Sequence, residues 1–233
     1  KEHIPNAFFF FLYKNSKQDT DLPHMLPSLE VWNEIISDLG ISNDDQIVIY
    51  DNSNVISSCR GWYNFIYFGH DPKLVSVLDG GFKKWKSENK KTSNISANLN
   101  KSNYKGNELS KLVKNKVLID QNISKKEFMV VDARSRERFE GKAPDPRKNV
   151  RSGSIPNSVC LPFVEVINEN KTFRNKENLN KLFKEISKNF EENLVFSCGS
   201  GVTACVLALA YSLVDTKYLP TIYDGSWSEY GKI

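Results

Sequence analysis

Short apolar runs recur along the chain and are separated by longer stretches of mixed character. Such a run is typical of a parallel strand buried on both faces, because neither face needs polar residues. The predicted strands are residues 7–12, 47–51, 75–78, 129–132, 194–197 and 221–223. Asp-Gly pairs follow the runs at 75–78 and 221–223. These pairs predict turns at the ends of those two strands.

Helical patterns lie between the predicted strands. The predicted helices are residues 29–39, 58–68, 111–117, 176–189 and 202–214. The stretch 202–214 is apolar on nearly every face, which predicts a buried helix, whereas 29–39 and 176–189 are amphipathic. Because strands and helices alternate, we expect an α/β fold in which mainly parallel sheets are flanked by helices.

The two halves of the chain resemble each other. Ile-Pro-Asn recurs at 4–6 and 155–157, and an Asp-Gly pair recurs at 79–80 and 224–225. The predicted strands at 47–51 and 194–197 also match, and all three pairs lie about 150 residues apart. Matches in the same order at a nearly constant separation indicate two copies of one domain.

A polar stretch between the copies predicts the domain boundary. Residues 87–108 are rich in Lys, Asn and Ser and poor in apolar residues, as linkers are. We therefore expect an N-terminal domain over 1–90, a linker over 91–110 and a C-terminal domain over 111–233. The opening elements of the second copy, at 111–117 and 129–132, have no counterpart in the first. The repeat thus predicts that about 30 residues of the first domain, including a core strand, precede this sequence.

Composition argues against a disordered chain, a membrane span and a nucleic-acid-binding protein. The chain has 233 residues, of which 39% are hydrophobic, so it can form packed cores. No apolar run approaches the roughly 20 residues that a membrane span needs. The net charge of +4 comes without a basic patch interleaved with aromatic residues, which argues against a nucleic-acid partner.

The four cysteines are Cys59, Cys160, Cys198 and Cys205. They show no CxxC spacing and no neighbouring pair of histidines, so we expect neither a metal site nor another cofactor. A few scattered cysteines are typical of a reducing compartment, and we expect the cytoplasm.

The arginines are few and clustered. Five of the seven lie between residues 134 and 151, whereas the lysines are spread along the chain. Because arginine suits forked contacts with carboxylates and phosphates, the cluster suggests an anion site. The alternative is a set of surface ion pairs with Asp132, Glu137 and Glu140.

The strongest chemical signal follows the predicted strand at 194–197. Cys198 opens the loop Cys-Gly-Ser-Gly-Val-Thr at 198–203, which leads into the buried helix. Small residues let several backbone N–H groups point inward, beside the positive end of the helix. Such a cradle favours the thiolate, which is the nucleophilic form of cysteine. The alternative is a buried structural cysteine, but ligands bind at the carboxyl ends of strands in open α/β sheets.

A cysteine phosphatase would use a similar loop. Its chemistry needs an arginine six residues after the cysteine, and this chain has Ala204 there. The sequence therefore argues against a phosphatase.

Two repeats with this loop resemble the rhodanese superfamily, and within it the 3-mercaptopyruvate sulfurtransferases. Further motifs that carry the resemblance are His-Met-Leu-Pro-Ser at 24–28, Leu-Asp-Gly-Gly at 78–81, Val-Asp-Ala-Arg at 131–134 and Tyr-Asp-Gly-Ser-Trp at 223–227. The resemblance covers nearly the whole chain. It implies two tandem rhodanese-like domains, the first non-catalytic and lacking its N-terminal strand, the second catalytic.

The resemblance also implies roles for individual residues. Cys198 would attack the donor sulfur and hold it as a persulfide, and Arg138 and Arg147 would bind the carboxylate and ketone of the donor. Loop residues would form the cradle around the anionic sulfur; these are Gly199, Ser200, Gly201, Val202 and Thr203. Arg134 would support the fold, and Arg136 and Arg151 would lie on the surface or between domains.

Ser200 and His24 match two members of the family's Ser-His-Asp relay. The third position holds Tyr13, and neither Asp19 nor Asp21 is in register to replace the missing carboxylate. The resemblance therefore implies a relay without a full negative charge beside His24. In the first copy, Asp51 occupies the position of Cys198, so that half would form no persulfide there.

The expected activity is sulfur transfer from 3-mercaptopyruvate to a small thiol, a thioredoxin-like protein or cyanide, with release of pyruvate. Two alternatives stay open. Thiosulfate is the first, although the family's thiosulfate enzymes carry basic residues in this loop and the loop here is neutral. A non-catalytic rhodanese module used for binding is the second.

Overall fold

The computed structural model describes residues 2–187 and 193–233, and each half of the chain contains one parallel β-sheet. In the N-terminal half, β1 (Ile47–Ile49) pairs with β2 (Val75–Val77). The helices of this half are α1 (Leu29–Asp38), α2 (Ser58–Tyr67) and α3 (Gly81–Ser87). No third strand joins this sheet within the described residues. What precedes the sequence stays a prediction.

The C-terminal half holds a five-stranded parallel sheet in the order β3-β7-β6-β4-β5. Its strands are β3 (Val113–Lys114), β4 (Met129–Asp132), β5 (Val159–Cys160), β6 (Leu194–Ser197) and β7 (Ile222–Tyr223). Its helices are α4 (Lys116–Lys125), α5 (Arg136–Phe139), α6 (Lys176–Ile186), α7 (Ala204–Val214) and α8 (Ser226–Tyr230). The α/β fold with parallel sheets flanked by helices is confirmed.

The central strands β4 and β6 bring two segments of interest to one edge of the sheet. All residues of both strands are buried, which matches their uninterrupted apolar runs. They pair in register from Met129 with Leu194 to Asp132 with Ser197. Because both strands end together, Cys198 and the arginine-rich segment after Asp132 start at the same edge.

The two halves share one hydrophobic core. All ten residues of α2 are buried, and α2 packs against α7 of the other half. The core continues from the stacked rings of Trp32 and Phe68, whose centroids lie 4.7 Å apart, to Leu207 on α7. Burial of apolar surface therefore fixes how the halves meet.

Helix starts differ in a way that matters for the site. Side chains of Ser28, Asn115 and Asn175 accept hydrogen bonds from the first turns of α1, α4 and α6. At the start of α7, the Thr203 side chain makes no such bond. The N–H groups of Cys205 and Val206 donate to the carbonyls of Val202 and Thr203, so the N–H groups that stay available for another acceptor lie in the loop just before α7.

Most predicted elements are present with shorter bounds. The strands at 129–132 and 194–197 are confirmed in full, and those at 47–51, 75–78 and 221–223 lose one or two residues. The helices at 29–39, 58–68 and 202–214 are confirmed with ends shifted by up to two residues. The helix predicted over 176–189 ends at Ile186, and residues 188–192 lie outside the described residues.

Two predicted elements are wrong. Residues 7–12 form no strand, and Phe9 is 82% exposed, because no neighbouring strand offers this run a hydrogen-bonding partner. Only its Phe10 packs inward, against Trp32. Residues 111–117 are not a helix: Val113–Lys114 pairs with β7, and the helix starts only after Asn115. A strand partner more than 100 residues away leaves no mark on local periodicity.

The segment expected as a linker lies along the N-terminal half. Within it, Tyr104 is buried and stacks on His70. Backbone N–H groups of Ser102 and Leu109 donate to carbonyl groups of Ser37 and Tyr67. These contacts hold residues 91–110 against the first half, while the domain boundary itself stays a prediction.

Candidate active site

Cys198 lies at the end of the central strand β6 and is 2% exposed. The loop 198–203 curls around it before α7 begins. Gly201 has a φ of 76°, a left-handed conformation that favours glycine. Added side-chain atoms there would also meet Arg60 Nη1 at 2.8 Å. Glycine is therefore required at position 201 both by the left-handed backbone and by the closeness of Arg60.

Ser226, the first residue of α8, holds the backbone of this loop. The N–H groups of Cys198 and Gly201 both donate to Ser226 Oγ, each at 3.1 Å, and Ser226 Oγ donates to the Tyr223 carbonyl at 2.8 Å. Trp227 N donates to the Cys198 carbonyl at 2.9 Å. The loop is thus fixed from the segment that follows β7.

Four loop N–H groups have no acceptor in the described part of the chain. They belong to Gly199, Ser200, Val202 and Thr203. Buried backbone N–H groups are nearly always paired, so unpaired ones beside a cysteine mark a cradle for an anion. This arrangement is what a negatively charged sulfur on Cys198 needs for stabilisation.

His24 reaches the loop from the N-terminal half. Its Nδ1 lies 3.0 Å from Ser200 Oγ, and its backbone has a φ of 64°. Burial, aided by the positive charges of Arg60 and Arg147, lowers the pKa of His24. A neutral imidazole at this position can exchange a proton with Ser200.

Arg60, on α2, connects His24 with the loop. Its Nη2 donates to the His24 carbonyl at 2.7 Å and its Nη1 to the Gly201 carbonyl at 3.1 Å. Nη1 also lies 2.7 Å from Asp224 Oδ1, and both side chains of this ion pair are at most 4% exposed. Burial by itself lowers the pKa of Arg60, but the Asp224 carboxylate outweighs burial and raises it. The guanidinium is therefore charged.

Arg147 covers the loop from the other side. Its Nη1 and Nη2 would each lie 3.0 Å from a side-chain carbon added at Gly199, so any larger residue here would push the Arg147 guanidinium aside. Arg138 Nη2 donates to Asp145 Oδ2 at 2.6 Å, and Arg147 Nη1 to Asp145 Oδ1 at 3.2 Å. Both arginines predicted to bind substrate thus meet at one carboxylate beside the Cys198 loop.

The remaining arginines of the cluster have structural or surface roles. Arg134 forms a buried pair with Asp132 and lies 4.5 Å from the Trp227 ring, which confirms its place in the fold. Arg136 pairs with Glu165 at the surface. Arg151 lies 4.9 Å from the centroid of the Trp227 ring. The cluster therefore combines two arginines that share Asp145, which are the pair predicted to bind substrate, with separate ion pairs. Glu137 and Glu140 bond none of these arginines among the described residues.

Comparison with known proteins identifies the family. The rhodanese-like domain matches residues 1–88 and 116–232. This chain belongs to the rhodanese family. It is 37% identical to thiosulfate/3-mercaptopyruvate sulfurtransferase 1 of Arabidopsis thaliana, over 98% of this chain and 65% of the relative. It is 36% identical to the 3-mercaptopyruvate sulfurtransferase of Mus musculus, over 99% of this chain and 77% of the relative.

Solved structures agree with this assignment. SseA from Escherichia coli, described as a 3-mercaptopyruvate sulfotransferase, superimposes with a TM-score of 0.85 at 28% identity. The match covers 97% of this chain and 83% of SseA. The resemblance that the sequence motifs suggested is thereby confirmed at the level of family and fold.

At the third position of the Ser-His-Asp relay, this rhodanese-family site has Tyr13 in place of an aspartate. Tyr13 contacts His24 edge to face, with ring centroids 6.0 Å apart, and makes no side-chain hydrogen bond to it among the described residues. Asp19 and Asp21 have side chains 81% and 91% exposed and pair with lysines instead. No carboxylate of the described chain therefore supports His24 in hydrogen-bonding contact.

The first rhodanese-like half fills its own equivalent of the cradle. The Asp51 carboxylate stands where Cys198 stands in the second half, and it accepts hydrogen bonds from Ser53, Ser57 and Ser58. Asp51 has no thiol, so no persulfide can form at this position. The role of this half at the site lies instead in His24 and Arg60.

The other cysteines are poorly suited to catalysis. Cys59 and Cys205 are fully buried, and burial raises the pKa of both, that of Cys205 to about 12. Cys160 is half-buried rather than part of the core, and burial raises its pKa to about 12 as well. Thiols with raised pKa values react slowly near neutral pH.

Sequence reasoning missed three residues of the site: Arg60, Asp145 and Ser226. One signal was available for Arg60, since an arginine inside an otherwise apolar helix needs a buried partner. Within residues 2–187 and 193–233, no group of His, Cys, Asp and Glu is arranged to hold a metal ion. None of the described helices is long and apolar enough to cross a membrane.

Proposed function

We propose that this chain transfers sulfur from 3-mercaptopyruvate to a thiol or cyanide acceptor through a persulfide on Cys198. The observation that carries the proposal is the meeting of three groups at one loop. Arg147 covers Gly199, His24 contacts Ser200, and four unpaired N–H groups surround Cys198. The named activities of the Arabidopsis and mouse relatives support the same chemistry.

In the first step, the Cys198 thiolate attacks the sulfur of the donor. A new S–S bond forms while the C–S bond of mercaptopyruvate breaks, and the electron pair moves onto the carbon as the enolate of pyruvate. Arg138 and Arg147 hold the carboxylate and the developing enolate oxygen. The enolate takes up one proton to give pyruvate, and the Ser200–His24 pair is placed to supply it.

In the second step, an acceptor thiolate attacks the outer sulfur of the persulfide. A new S–S bond joins this sulfur to the acceptor, which leaves as a persulfide (with cyanide, a C–S bond forms and thiocyanate leaves). The S–S bond to Cys198 breaks and its electron pair returns to Cys198, which is again a thiolate. Between the steps, the loop N–H groups stabilise the anionic outer sulfur. This scheme needs no metal and no organic cofactor, because the donor carries the sulfur in its transferable form.

Mass spectrometry of the intact protein tests the central claim. After treatment with 3-mercaptopyruvate, the protein should gain one sulfur atom, located on Cys198 by digestion. Cys198→Ser should gain none, while Cys160→Ser, a matched control at a half-buried thiol, should behave like the wild type. A wild-type protein that gains no sulfur would leave a binding module as the better interpretation.

Thiosulfate is the alternative donor, and the Arabidopsis relative carries both donors in its name. The loop 198–203 contains no charged residue, whereas a dianion needs compensating positive charge. Steady-state assays with each donor and cyanide as acceptor should therefore show a much higher kcat/KM for mercaptopyruvate. The reverse preference would favour the alternative.

The cellular location stays a prediction. Scattered free cysteines favour a reducing compartment such as the cytoplasm. The Arabidopsis relative is named as mitochondrial. Microscopy of the tagged full-length protein beside a mitochondrial marker distinguishes the two locations, and the acceptor, proposed as a small thiol or a thioredoxin-like protein, is then sought there.

A further inference from the structure

Asp145 lies between the two arginines proposed to bind the donor. We propose that its carboxylate sets the net charge of the donor site and thereby selects monoanionic over dianionic sulfur donors. This inference rests on the proposed function and concerns the specificity of the same site. Asp145 is a specificity-determining residue in this view, and it acts through Arg138 and Arg147.

The position of Asp145 is fixed. Its side chain is 1% exposed, with Oδ2 2.6 Å from Arg138 Nη2 and Oδ1 3.2 Å from Arg147 Nη1. Oδ1 also accepts the Arg147 backbone N–H at 3.0 Å. Pro144 and Pro146 flank it and restrict the backbone on both sides. These contacts and the two prolines hold the carboxylate in one position between the arginines.

Asp145 carries a full negative charge. Burial by itself raises the pKa of its carboxyl group, but the Arg147 backbone N–H and the Arg138 side chain outweigh burial and hold it below its usual range. With Arg138 and Arg147, the three groups sum to a single positive charge. The nearby Arg60–Asp224 pair is neutral in sum. In the loop 198–203 the one charge is the negative charge of the attacking Cys198 thiolate, which repels a dianion more strongly than a monoanion.

Both arginines keep donors free for a ligand. Arg138 and Arg147 side chains are 25% and 29% exposed, and each gives Asp145 only part of its guanidinium edge. Arg138 Nε is buried and has no partner among the described residues. A buried guanidinium nitrogen without a partner is rare in folded proteins, and an acceptor atom of a bound ligand would pair it.

The charge sum strengthens the preference for mercaptopyruvate that the neutral loop predicts. One net positive charge matches the single carboxylate of mercaptopyruvate, whereas thiosulfate would leave an excess negative charge in a partly buried site. Removing the charge of Asp145 would raise the sum to two and favour a dianion. Discrimination between donors is then a property of Asp145 as well as of the loop.

The test compares donors in Asp145→Asn and Asp145→Glu. Asp145→Asn should raise the ratio of kcat/KM for thiosulfate to that for mercaptopyruvate by about tenfold or more. Asp145→Glu keeps the charge with altered geometry and should leave this ratio near the wild-type value. If both variants lose activity toward both donors in the same proportion, Asp145 only positions the arginines and the proposal is overturned.

A binding measurement keeps the inference testable without turnover. Methanesulfonate and sulfate have a similar tetrahedral anionic head, with one and two negative charges. Calorimetry should show that the wild-type protein prefers methanesulfonate, and that Asp145→Asn reverses the preference. Equal preferences in the two proteins overturn the inference even if sulfur transfer is intact. Absence of a persulfide on Cys198, with the charge preference present, would instead refute the proposed function alone.

Discussion

Replacing Arg60 by methionine tests how far the interface between the two halves supports the site. Arg60 is 1% exposed, and its guanidinium contacts Asp224, the Gly201 carbonyl and the His24 carbonyl. Methionine fills a similar volume without charge, so the packing of α2 is largely kept. The change isolates the loss of one buried cation, of one hydrogen bond across the interface to Gly201 and of one within the first half to His24.

The expected loss of stability follows from what remains behind. Asp224 becomes a buried carboxylate whose Oδ2 still accepts the Leu26 N–H at 2.9 Å, but it has no countercharge. Breaking a buried ion pair from one side costs about 3–5 kcal/mol. The total free energy of unfolding of a domain is about 5–15 kcal/mol. Arg60→Met should therefore lose about a fifth or more of the stability, with kcat/KM reduced about 100-fold by displacement of His24.

Urea unfolding followed by tryptophan fluorescence, together with mercaptopyruvate turnover, measures both effects. The double variant Arg60→Met with Asp224→Leu removes the orphaned charge and should recover most of the stability, because an apolar pair can replace a buried ion pair. Its activity should stay low, since the His24 and Gly201 carbonyls still lack their donor. Arg136→Met, which breaks the exposed pair with Glu165, is the matched control and should cost only about 0.2–1 kcal/mol. An Arg60→Met protein as stable as this control would refute the reasoning.

Three further outcomes are expected at the site. Because burial and the charges of Arg60 and Arg147 lower the pKa of His24, the acid limb of kcat/KM for mercaptopyruvate should lie below the ordinary histidine value of about 6.5, and a limb above about 7 contradicts this. Tyr13→Asp places a carboxylate beside His24. Compared with Tyr13→Asn, it should raise the pKa of His24, measured by NMR titration, and increase turnover; equal values in the two variants contradict this. Gly199→Ala should displace the Arg147 guanidinium and raise KM for mercaptopyruvate about tenfold, so an unchanged KM contradicts the close contact.

Local patterns predicted the parts of the fold that local physics decides. The runs at 129–132 and 194–197 have one favourable solution, a strand buried on both faces, and both were predicted in full. The run at 7–12 is equally apolar, but a strand also needs a neighbouring strand as a hydrogen-bonding partner. The sequence of the run does not show whether such a partner exists. The start of α4 was misplaced because a long-range pairing, Val113 with Ile222, overrides helical periodicity.

The residues of the candidate site also divide into those that the sequence indicates and those that only the folded chain brings together. Cys198 and its loop carry a local signature, and the arginine cluster is visible in the sequence. Resemblance to a family was needed to select Arg138 and Arg147 from that cluster. Asp145 and Arg60 act through partners that only the folded chain brings within hydrogen-bonding distance. Their roles depend on burial and charge balance, which spacing along the sequence does not encode.

The buried interface gives a physical reason for keeping a half without a persulfide-forming cysteine. His24 occupies a left-handed backbone conformation, with φ 64°, which costs energy outside glycine. The Arg60 hydrogen bond to its carbonyl and the Ser200 contact to its ring offset that cost from two different elements. An α2–α7 interface formed by apolar burial supplies the rigidity that both contacts need. The first half therefore acts as a fixed support that places a neutral imidazole and a cation at the Cys198 loop. This role does not depend on its own loop at Asp51, where the carboxylate and nearby serines satisfy one another.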